Sequence, residues 1–159
     1  MSDAANKQAA QLLGSAASDD WGTDPDVFKT LDAEFHFTLD VNADAVNHKC
    51  ERYFTKEMDA LKQTWAPNRC FCNPPFSLND DFVRKGKEEA NKGALVVFLI
   101  PARTNVRWFH NYVWDCRTHK PKQGVEIRFY PGRLRYIGSH GLAPFPVMLV
   151  IFKPGLPLL

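Results

Sequence analysis

The stretch Arg69-Cys70-Phe71-Cys72-Asn73-Pro74-Pro75-Phe76 joins an apolar run, which predicts a strand, to a rigid corner. The two prolines fix φ and remove two backbone N–H donors, so the corner presents carbonyl groups. The side-chain oxygen of Asn73 and a neighbouring carbonyl can each accept one hydrogen of an exocyclic amine, while the ring of Phe76 stacks on the planar group. The pattern predicts a site for such a group. A structural turn is the alternative, because Asn-Pro and Pro-Pro also mark loops.

Helical and extended patterns alternate along the rest of the chain. The continuous apolar run 94–101 is typical of a strand buried on both faces, as in a mostly parallel sheet. Further strands are predicted at residues 35–41, 69–72, 125–130, 133–137 and 147–152. Helices are predicted at residues 25–35, 45–53, 79–92 and 105–114. The alternation indicates an α/β sheet, and the closing cluster of strands indicates antiparallel pairing at its C-terminal edge.

The size and composition fit one soluble domain. The chain has 159 residues, of which 45% are hydrophobic and 24% charged. No apolar run reaches the length of a membrane span, so no membrane association is predicted. Residues 1–18 are rich in Ala, Gln and Ser and lack the basic start and apolar centre of a secretory signal. We expect them to form a flexible arm before a single domain at residues 19–159.

The four cysteines follow neither a disulfide framework nor Cys-x-x-Cys zinc spacing. Cys70 and Cys72 alternate along the predicted strand and are expected to be small buried thiols. No metal is predicted, although a site that uses Cys116 and His119 stays open as the alternative. This cysteine usage is typical of a reducing cytoplasm.

Charge is distributed unevenly along the chain. Residues 1–80 carry 7 Lys or Arg against 13 Asp or Glu, whereas residues 81–159 carry 13 against 5. Between Arg103 and Arg135 the basic residues alternate with aromatic ones, which suits phosphate contact and base stacking. The alternative is a solvated surface over an aromatic core. The candidate phosphate or base contacts are Arg103, Arg107, Arg133 and Arg135.

Three polar corners follow predicted strands. Asp40 lies near the end of one strand, Asn73 follows the next, and Pro101-Ala102-Arg103 follows the apolar run. Ligands of α/β sheets bind beyond the carboxyl ends of the strands. We therefore expect these corners to form one site.

The chain from Trp21 to Phe152 resembles the phage-type, Dam-like DNA N6-adenine methyltransferases. The resemblance rests on six short segments that stand in the family's order. They are Trp21-Gly22-Thr23, Phe37-Thr38-Leu39-Asp40, Asp59-Ala60-Leu61, Phe71-Cys72-Asn73-Pro74-Pro75-Phe76, Leu99-Ile100-Pro101-Ala102-Arg103-Thr104 and Pro144-Phe145-Pro146. The fourth matches the motif (D/N/S)-P-P-(Y/F/W), with Phe76 where Tyr is more frequent.

The resemblance implies a Rossmann-like class I methyltransferase fold and transfer of a methyl group from S-adenosylmethionine to N6 of adenine in double-stranded DNA. Asn73, Pro74, Pro75 and Phe76 would form the catalytic corner. Asn73 and the Pro74 carbonyl would accept the two amine hydrogens, and Phe76 would stack on a flipped-out base. Asn73 is neutral, so its expected role is positioning and electrostatic stabilisation.

Four residues are predicted to contact the cofactor. Asp40 would bind either its ammonium group or its ribose hydroxyls; a helix-capping role is the alternative. Asp59 would bind the cofactor's adenine amine, with a surface turn as the alternative. Trp21 and Thr23 would close one side of the pocket, with core packing as the alternative for Trp21.

Three rival functions stay open on sequence grounds. The same corner serves methylation of a guanine amine in RNA or of a glutamine amide in a protein. A relative that binds nucleic acid without catalysis is the third. The resemblance also implies a cytoplasmic protein of a bacterial host, encoded by a phage or prophage and connected with restriction-modification. The oligomeric state stays open, and a monomer is compatible with the chain.

Overall fold

A five-stranded sheet forms the centre of the molecule. A computed structural model of the protein describes residues 22–137 and 142–155. Their strands are β1 (Gly22–Thr23), β2 (Leu39–Asp40), β3 (Arg69–Cys72), β4 (Leu95–Pro101), β5 (Trp114–Asp115), β6 (Lys120–Pro121), β7 (Val125–Phe129), β8 (Tyr136–Ile137) and β9 (Val147–Phe152). The central sheet has the order β2-β3-β4-β9-β7, while β1 pairs with β8 and β5 with β6.

The direction of the strands matches the predicted fold class. Strands β2, β3 and β4 are parallel. Strand β9 is antiparallel to both of its neighbours, β4 and β7, so β7 runs in the direction of the first three. The sheet is therefore mostly parallel, with its antiparallel pairing on the C-terminal side, as a class I methyltransferase fold requires.

Helices cover both faces of this sheet. The chain places α1 (Pro25–Phe35) on one face and α2 (Asn79–Asn91) on the other. Residues of β4 alternate between the two cores, because successive side chains of a strand point to opposite faces. Gly86 lets α2 approach the sheet closely, since a Cβ atom there would lie 2.5 Å from the ring of Phe98.

The ends of both helices follow from their sequence. Asp24 caps α1 by accepting a hydrogen bond from the N–H of Asp26, and Pro25 occupies the first turn. Helix α1 ends at Phe35, and the next residue, His36, caps it in a left-handed conformation with φ of 52°. Gly93, with φ of 111°, follows α2. These boundaries confirm the predicted helices 25–35 and 79–92 to within one residue.

Two predicted elements were wrong. The strand expected at residues 35–41 is confined to Leu39–Asp40, because Phe35 belongs to α1 and His36 adopts a left-handed conformation. Residues 45–53 do not form a helix, although Asp44 accepts hydrogen bonds from the N–H groups of Val46 and Asn47 as a helix N-cap would. The N–H of Lys49, which a helix would donate to the carbonyl of Ala45, donates instead to the carboxylate of Asp40. Such a side-chain acceptor competes with helix formation.

The remaining segments differ in detail from the prediction. The helical turn within 105–114 is a π-helix at Phe109–Val113. The strand expected at 133–137 is confined to Tyr136–Ile137, and it pairs with β1 rather than with β7. That pairing places Thr23 near the carboxyl ends of the parallel strands, where it contacts Asn73.

A buried carboxylate fixes the chain between β2 and β3. Glu89 has no solvent exposure, and its Oε2 accepts hydrogen bonds from the N–H groups of Trp65 at 2.9 Å and Ala66 at 3.0 Å. Its Oε1 accepts from Lys85 at 2.8 Å and Lys92 at 3.1 Å. Burial acts to raise the pKa of Glu89, but these hydrogen bonds outweigh it and lower the pKa to about 2.

Candidate functional site

A polar cleft lies at the carboxyl ends of the parallel strands. It encloses about 440 Å³, and its walls include Thr23, Asp40 and Asn73. These three residues come from β1, β2 and the corner after β3, so the strand order brings together positions far apart in sequence. Two lysines that the sequence analysis did not single out, Lys49 and Lys56, also line the cleft.

Asp40 is buried at the base of this cleft, with a relative exposure of 2%. Its Oδ2 accepts a hydrogen bond from the N–H of Lys49 at 2.9 Å, and its Oδ1 accepts one from the N–H of Asn42 at 3.4 Å. The carboxylate thus anchors the loop after β2, rather than capping a helix. Burial raises the pKa of Asp40 from 3.8 to about 6, although the two backbone hydrogen bonds act to lower it.

Two side chains fix the amide and the backbone of Asn73. Its Nδ2 donates to Oγ1 of Thr23 at 3.0 Å, and its backbone carbonyl accepts from Nδ2 of Asn42 at 2.9 Å. Thr23 is buried, at 4% exposure. The side-chain oxygen is the acceptor atom of this amide, and the bond from Nδ2 to Thr23 fixes the direction in which it points.

The prolines carry the chain from Asn73 to the aromatic ring of the corner. Pro74 is buried, Pro75 is half-buried, and Phe76 begins a 3₁₀ turn at Phe76–Leu78. The ring of Phe76 meets that of Phe145 nearly at right angles, with 5.0 Å between the centroids. Sequence reasoning assigned no role to Phe145. The sequence signal for a fixed side chain at position 145 was the proline on each side of it, Pro144 and Pro146, because prolines restrict the backbone.

A second, more apolar cleft adjoins the first. It encloses about 300 Å³ between Leu61, Phe82 and the prolyl corner, and it shares Asn42 and Lys56 with the polar cleft. Asp59 lies on its wall.

The side chain of Asp59 also holds the local turn. Its Oδ1 accepts a hydrogen bond from the N–H of Leu61 at 3.2 Å, and its Oδ2 lies 3.3 Å from Nζ of Lys62. Asp59 caps the 3₁₀ turn Ala60–Lys62 in a left-handed conformation with φ of 54°. Asp59 therefore has the role in a turn that was its alternative. It also lines the second cleft, so its contact with the cofactor's adenine stays a prediction.

The four candidate arginines are exposed. Arg103 lies two residues after the end of β4, and Arg135 precedes β8, where Tyr136 pairs with Thr23. Arg107 and Arg133 lie in the adjoining segments. Within residues 22–137 and 142–155, none of the four arginines forms an ion pair with a carboxylate.

Other members of the basic, aromatic segment have structural roles. The guanidinium of Arg128 lies 2.7 Å from Glu34 and 2.6 Å from Glu126, so its charge is neutralised by two carboxylates. Trp108 and Phe109 are buried in the core. The reading of this segment as a solvated surface over an aromatic core therefore holds for part of it.

Three of the four cysteines are buried. Burial raises the pKa of Cys50 and of Cys70 to about 12. The exposed Cys116 has its Sγ 3.6 Å from Nδ1 of His110. In the part of the chain that the structure describes, no three His, Cys, Asp or Glu side chains are grouped to hold a metal ion.

Most of the chain matches a known family. The model of the family described as DNA N-6-adenine-methyltransferase (Dam) matches residues 11–154. The chain belongs to the Dam family. The DNA N-6-adenine-methyltransferase of Haemophilus phage HP1 is 26% identical over 145 residues, which cover 86% of this chain and 80% of the phage protein.

A second Dam-family relative is similar over a shorter segment. The DNA N-6-adenine-methyltransferase of Escherichia phage T1 is 32% identical over 96 residues. That segment covers 59% of this chain and 40% of the phage T1 protein, so the matched part is less than half of that relative.

The family match also extends beyond the described residues. Trp21, predicted to close the cofactor pocket, lies outside them, as does the arm predicted at residues 1–18. Among the described residues, no helix has both the length and the apolar character that crossing a bilayer requires.

Proposed function

We propose that this protein transfers a methyl group from S-adenosylmethionine to N6 of adenine in double-stranded DNA. The observation that carries the proposal is the geometry of Asn73 in a Dam-family chain. Its amide is fixed by Thr23 at the mouth of a polar cleft, with the prolyl corner and Phe76 directly after it. Residues 19–159 would form the catalytic domain, in the cytoplasm of a bacterial host.

The two clefts fit the chemistry of this cofactor. S-adenosylmethionine combines a charged amino-acid end and ribose hydroxyls with a flat, weakly polar adenine. The polar cleft offers the carboxylate of Asp40 and the ammonium groups of Lys49 and Lys56, and the adjoining apolar cleft offers Leu61, Phe82 and Asp59. We assign the amino-acid end to the first cleft and the adenine to the second. When bound, the cofactor supplies an electrophilic methyl group.

Asn73 and Pro74 would act on the acceptor amine. The lone pair of the adenine amine is conjugated with the ring, which makes the nitrogen a poor nucleophile. Acceptance of its two hydrogens by Oδ1 of Asn73 and by the Pro74 carbonyl would localise that lone pair on nitrogen and orient it. Asn73 cannot hold the proton that the amine loses, so this proton passes to solvent.

Phe76 and the arginines would hold the DNA. A base inside a duplex cannot reach a cleft at the strand ends, so the target adenine must leave the stack. The ring of Phe76 offers it a stacking surface next to Asn73. Exposed Arg103, Arg107, Arg133 and Arg135 would contact phosphates or base edges around this point.

Sorting of methyl acceptors tests the proposal. Purified protein is incubated with S-adenosylmethionine that carries a labelled methyl group and, separately, with duplex DNA, RNA or a protein mixture. The proposal predicts label in DNA, recovered as N6-methyladenine after nuclease digestion. Label in RNA guanine or in a protein glutamine amide would replace the proposal by the corresponding rival, and label in none of the three would favour the non-catalytic relative.

A further inference from the structure

The contact between Phe76 and Phe145 joins two segments that are far apart in sequence. The rings are inclined at 87° to each other with their centroids 5.0 Å apart, which is a favoured edge-to-face arrangement. Phe145 is 8% exposed and belongs to the core between α1 and the sheet, and the half-buried ring of Phe76 packs against that core. The contact therefore links a fixed core side chain to the predicted stacking ring.

Backbone hydrogen bonds hold Phe145 in place. The N–H of Ala143 donates to the carbonyl of Leu134 at 2.7 Å, and the N–H of Ala102 donates to the carbonyl of Pro146 at 2.9 Å. Pro144 and Pro146 restrict the backbone further. The second bond ties this segment to the end of β4, beside Arg103.

The backbone of Phe76 is also fixed. It follows two prolines, and the N–H of Leu78 donates to the carbonyl of Pro75 at 2.9 Å. These constraints fix where the side chain starts but not the plane of its ring, because χ2 of an aromatic side chain is a broad torsion. An edge-to-face partner restricts that plane.

We propose that Phe145 is a positioning residue, which sets the plane of the Phe76 ring for stacking on the flipped adenine. This inference rests on the proposed function. Loss of the ring at position 145 should lower kcat/KM for DNA by about 2- to 12-fold, the factor that corresponds to one edge-to-face aromatic pair. Affinity for the cofactor should not change, because Phe145 does not line either cleft.

The test compares Phe145→Leu with two other variants. Phe145→Tyr retains the ring and should behave as the wild type. Phe35→Leu is the matched control, because Phe35 is also 8% exposed and lies in the same core, but its ring contacts Phe37 rather than Phe76. If Phe145→Leu does not fold, Phe145→Met replaces it, with lifetimes measured in the presence of S-adenosylhomocysteine and kcat/KM measured with S-adenosylmethionine.

Fluorescence of the target base gives the decisive readout. The methylated adenine is first located in DNA treated with the wild-type protein and is then replaced by 2-aminopurine, whose fluorescence lifetime reports stacking. The ring-deleted variant should show a larger long-lifetime, unstacked fraction together with the lower kcat/KM, and Phe35→Leu should show neither change. Wild-type lifetimes and kcat/KM in the ring-deleted variant, or equal changes in Phe35→Leu, would overturn the inference. A wild-type protein that leaves DNA unmethylated would instead overturn the proposed function itself.

Discussion

Oγ1 of Thr23 accepts a hydrogen bond from Nδ2 of Asn73 at 3.0 Å, although 50 residues separate them. The pairing of β1 with β8 carries Thr23 to this position. Thr23 thus has a second role besides lining the cleft, because this bond fixes the orientation of the Asn73 amide and with it the direction of its oxygen.

Thr23→Val should lower the rate of methyl transfer. Valine keeps the shape of threonine but removes the acceptor, so the Asn73 amide loses its fixed orientation. The expected loss in kcat is about 2- to 12-fold, which corresponds to one hydrogen bond of roughly 0.5–1.5 kcal/mol. Thr23→Ser retains the hydroxyl and should restore most of the rate. A Val variant with the kcat of the wild type at saturating cofactor would remove this role from Thr23.

Asp40→Asn should weaken cofactor binding. An ionised carboxylate bonded to an ammonium or hydroxyl group contributes roughly 1.5–3 kcal/mol, which the neutral amide cannot match. Calorimetry with S-adenosylhomocysteine measures the loss. Unchanged affinity in a folded variant would assign Asp40 to anchoring of the loop alone.

The pH dependence of cofactor binding should follow the same carboxylate. Burial raises the pKa of Asp40 to about 6, so the group becomes protonated as the pH falls through that value. Affinity in the wild type should therefore decrease as the pH is lowered from 7 to about 5. In Asp40→Asn the affinity should be nearly constant over that range, and an equal decrease in both proteins would contradict the assignment.

Asp40 and Glu89 should affect stability with opposite signs. The pKa of Asp40 is higher in the folded protein than the ordinary 3.8, so its ionisation disfavours the folded state. The stability that the protonated form provides is present below about pH 4 and is lost as the pH rises to about 6. The pKa of Glu89 is lowered to about 2, so its stabilising effect is present above about pH 4.5 and is lost as the pH falls toward 2.

Glu89→Ala should reduce the free energy of unfolding by about 3–5 kcal/mol. The substitution leaves the N–H groups of Trp65 and Ala66 without their acceptor and breaks a partly buried ion pair with Lys85. Urea denaturation measures the change. Glu88→Ala is the matched control, because Glu88 is the exposed neighbour on α2, and its effect should stay within about 0.5 kcal/mol. Equal effects of the two substitutions would contradict the role of Glu89.

DNA affinity should depend strongly on salt. If four to six phosphates are contacted, log affinity should fall against log salt with a slope of roughly −4 to −5. Arg107→Ala should make that slope shallower by about one, if its side chain meets a phosphate, or change sequence preference if it meets a base. Arg128→Ala is the control, because its guanidinium is already paired with Glu34 and Glu126. An affinity that salt does not change would contradict docking on this basic surface.

Much of the fold follows from local patterns. The run at 94–101, the cap of α1 and the prolyl corner each carry their information within a few residues, and the structure agrees with the predictions. Residues 45–53 have a sequence that permits a helix, but the carboxylate of Asp40 accepts the backbone N–H of Lys49, which a helix would donate to the carbonyl of Ala45. The sequence does not show which of the two competing hydrogen-bond patterns wins.

The contacts that define the site were beyond sequence reasoning. Thr23 with Asn73, and Phe76 with Phe145, meet only because distant strands pair. The sequence did predict that Asp40 and Asn73 lie at one edge of the sheet, because the carboxyl ends of parallel strands meet there whatever the register. The partner of each side chain depends on register, which the pattern of residue types did not specify.

Single-turnover methylation by Asn73→Ala tests the central claim most directly. Duplex DNA and saturating S-adenosylmethionine are mixed with the enzyme, and N6-methyladenine is measured by mass spectrometry over time. Loss of a hydrogen bond that strengthens in the transition state predicts a rate about 10²–10³ lower than that of the wild type, with cofactor affinity largely intact. A rate near that of the wild type would contradict the account.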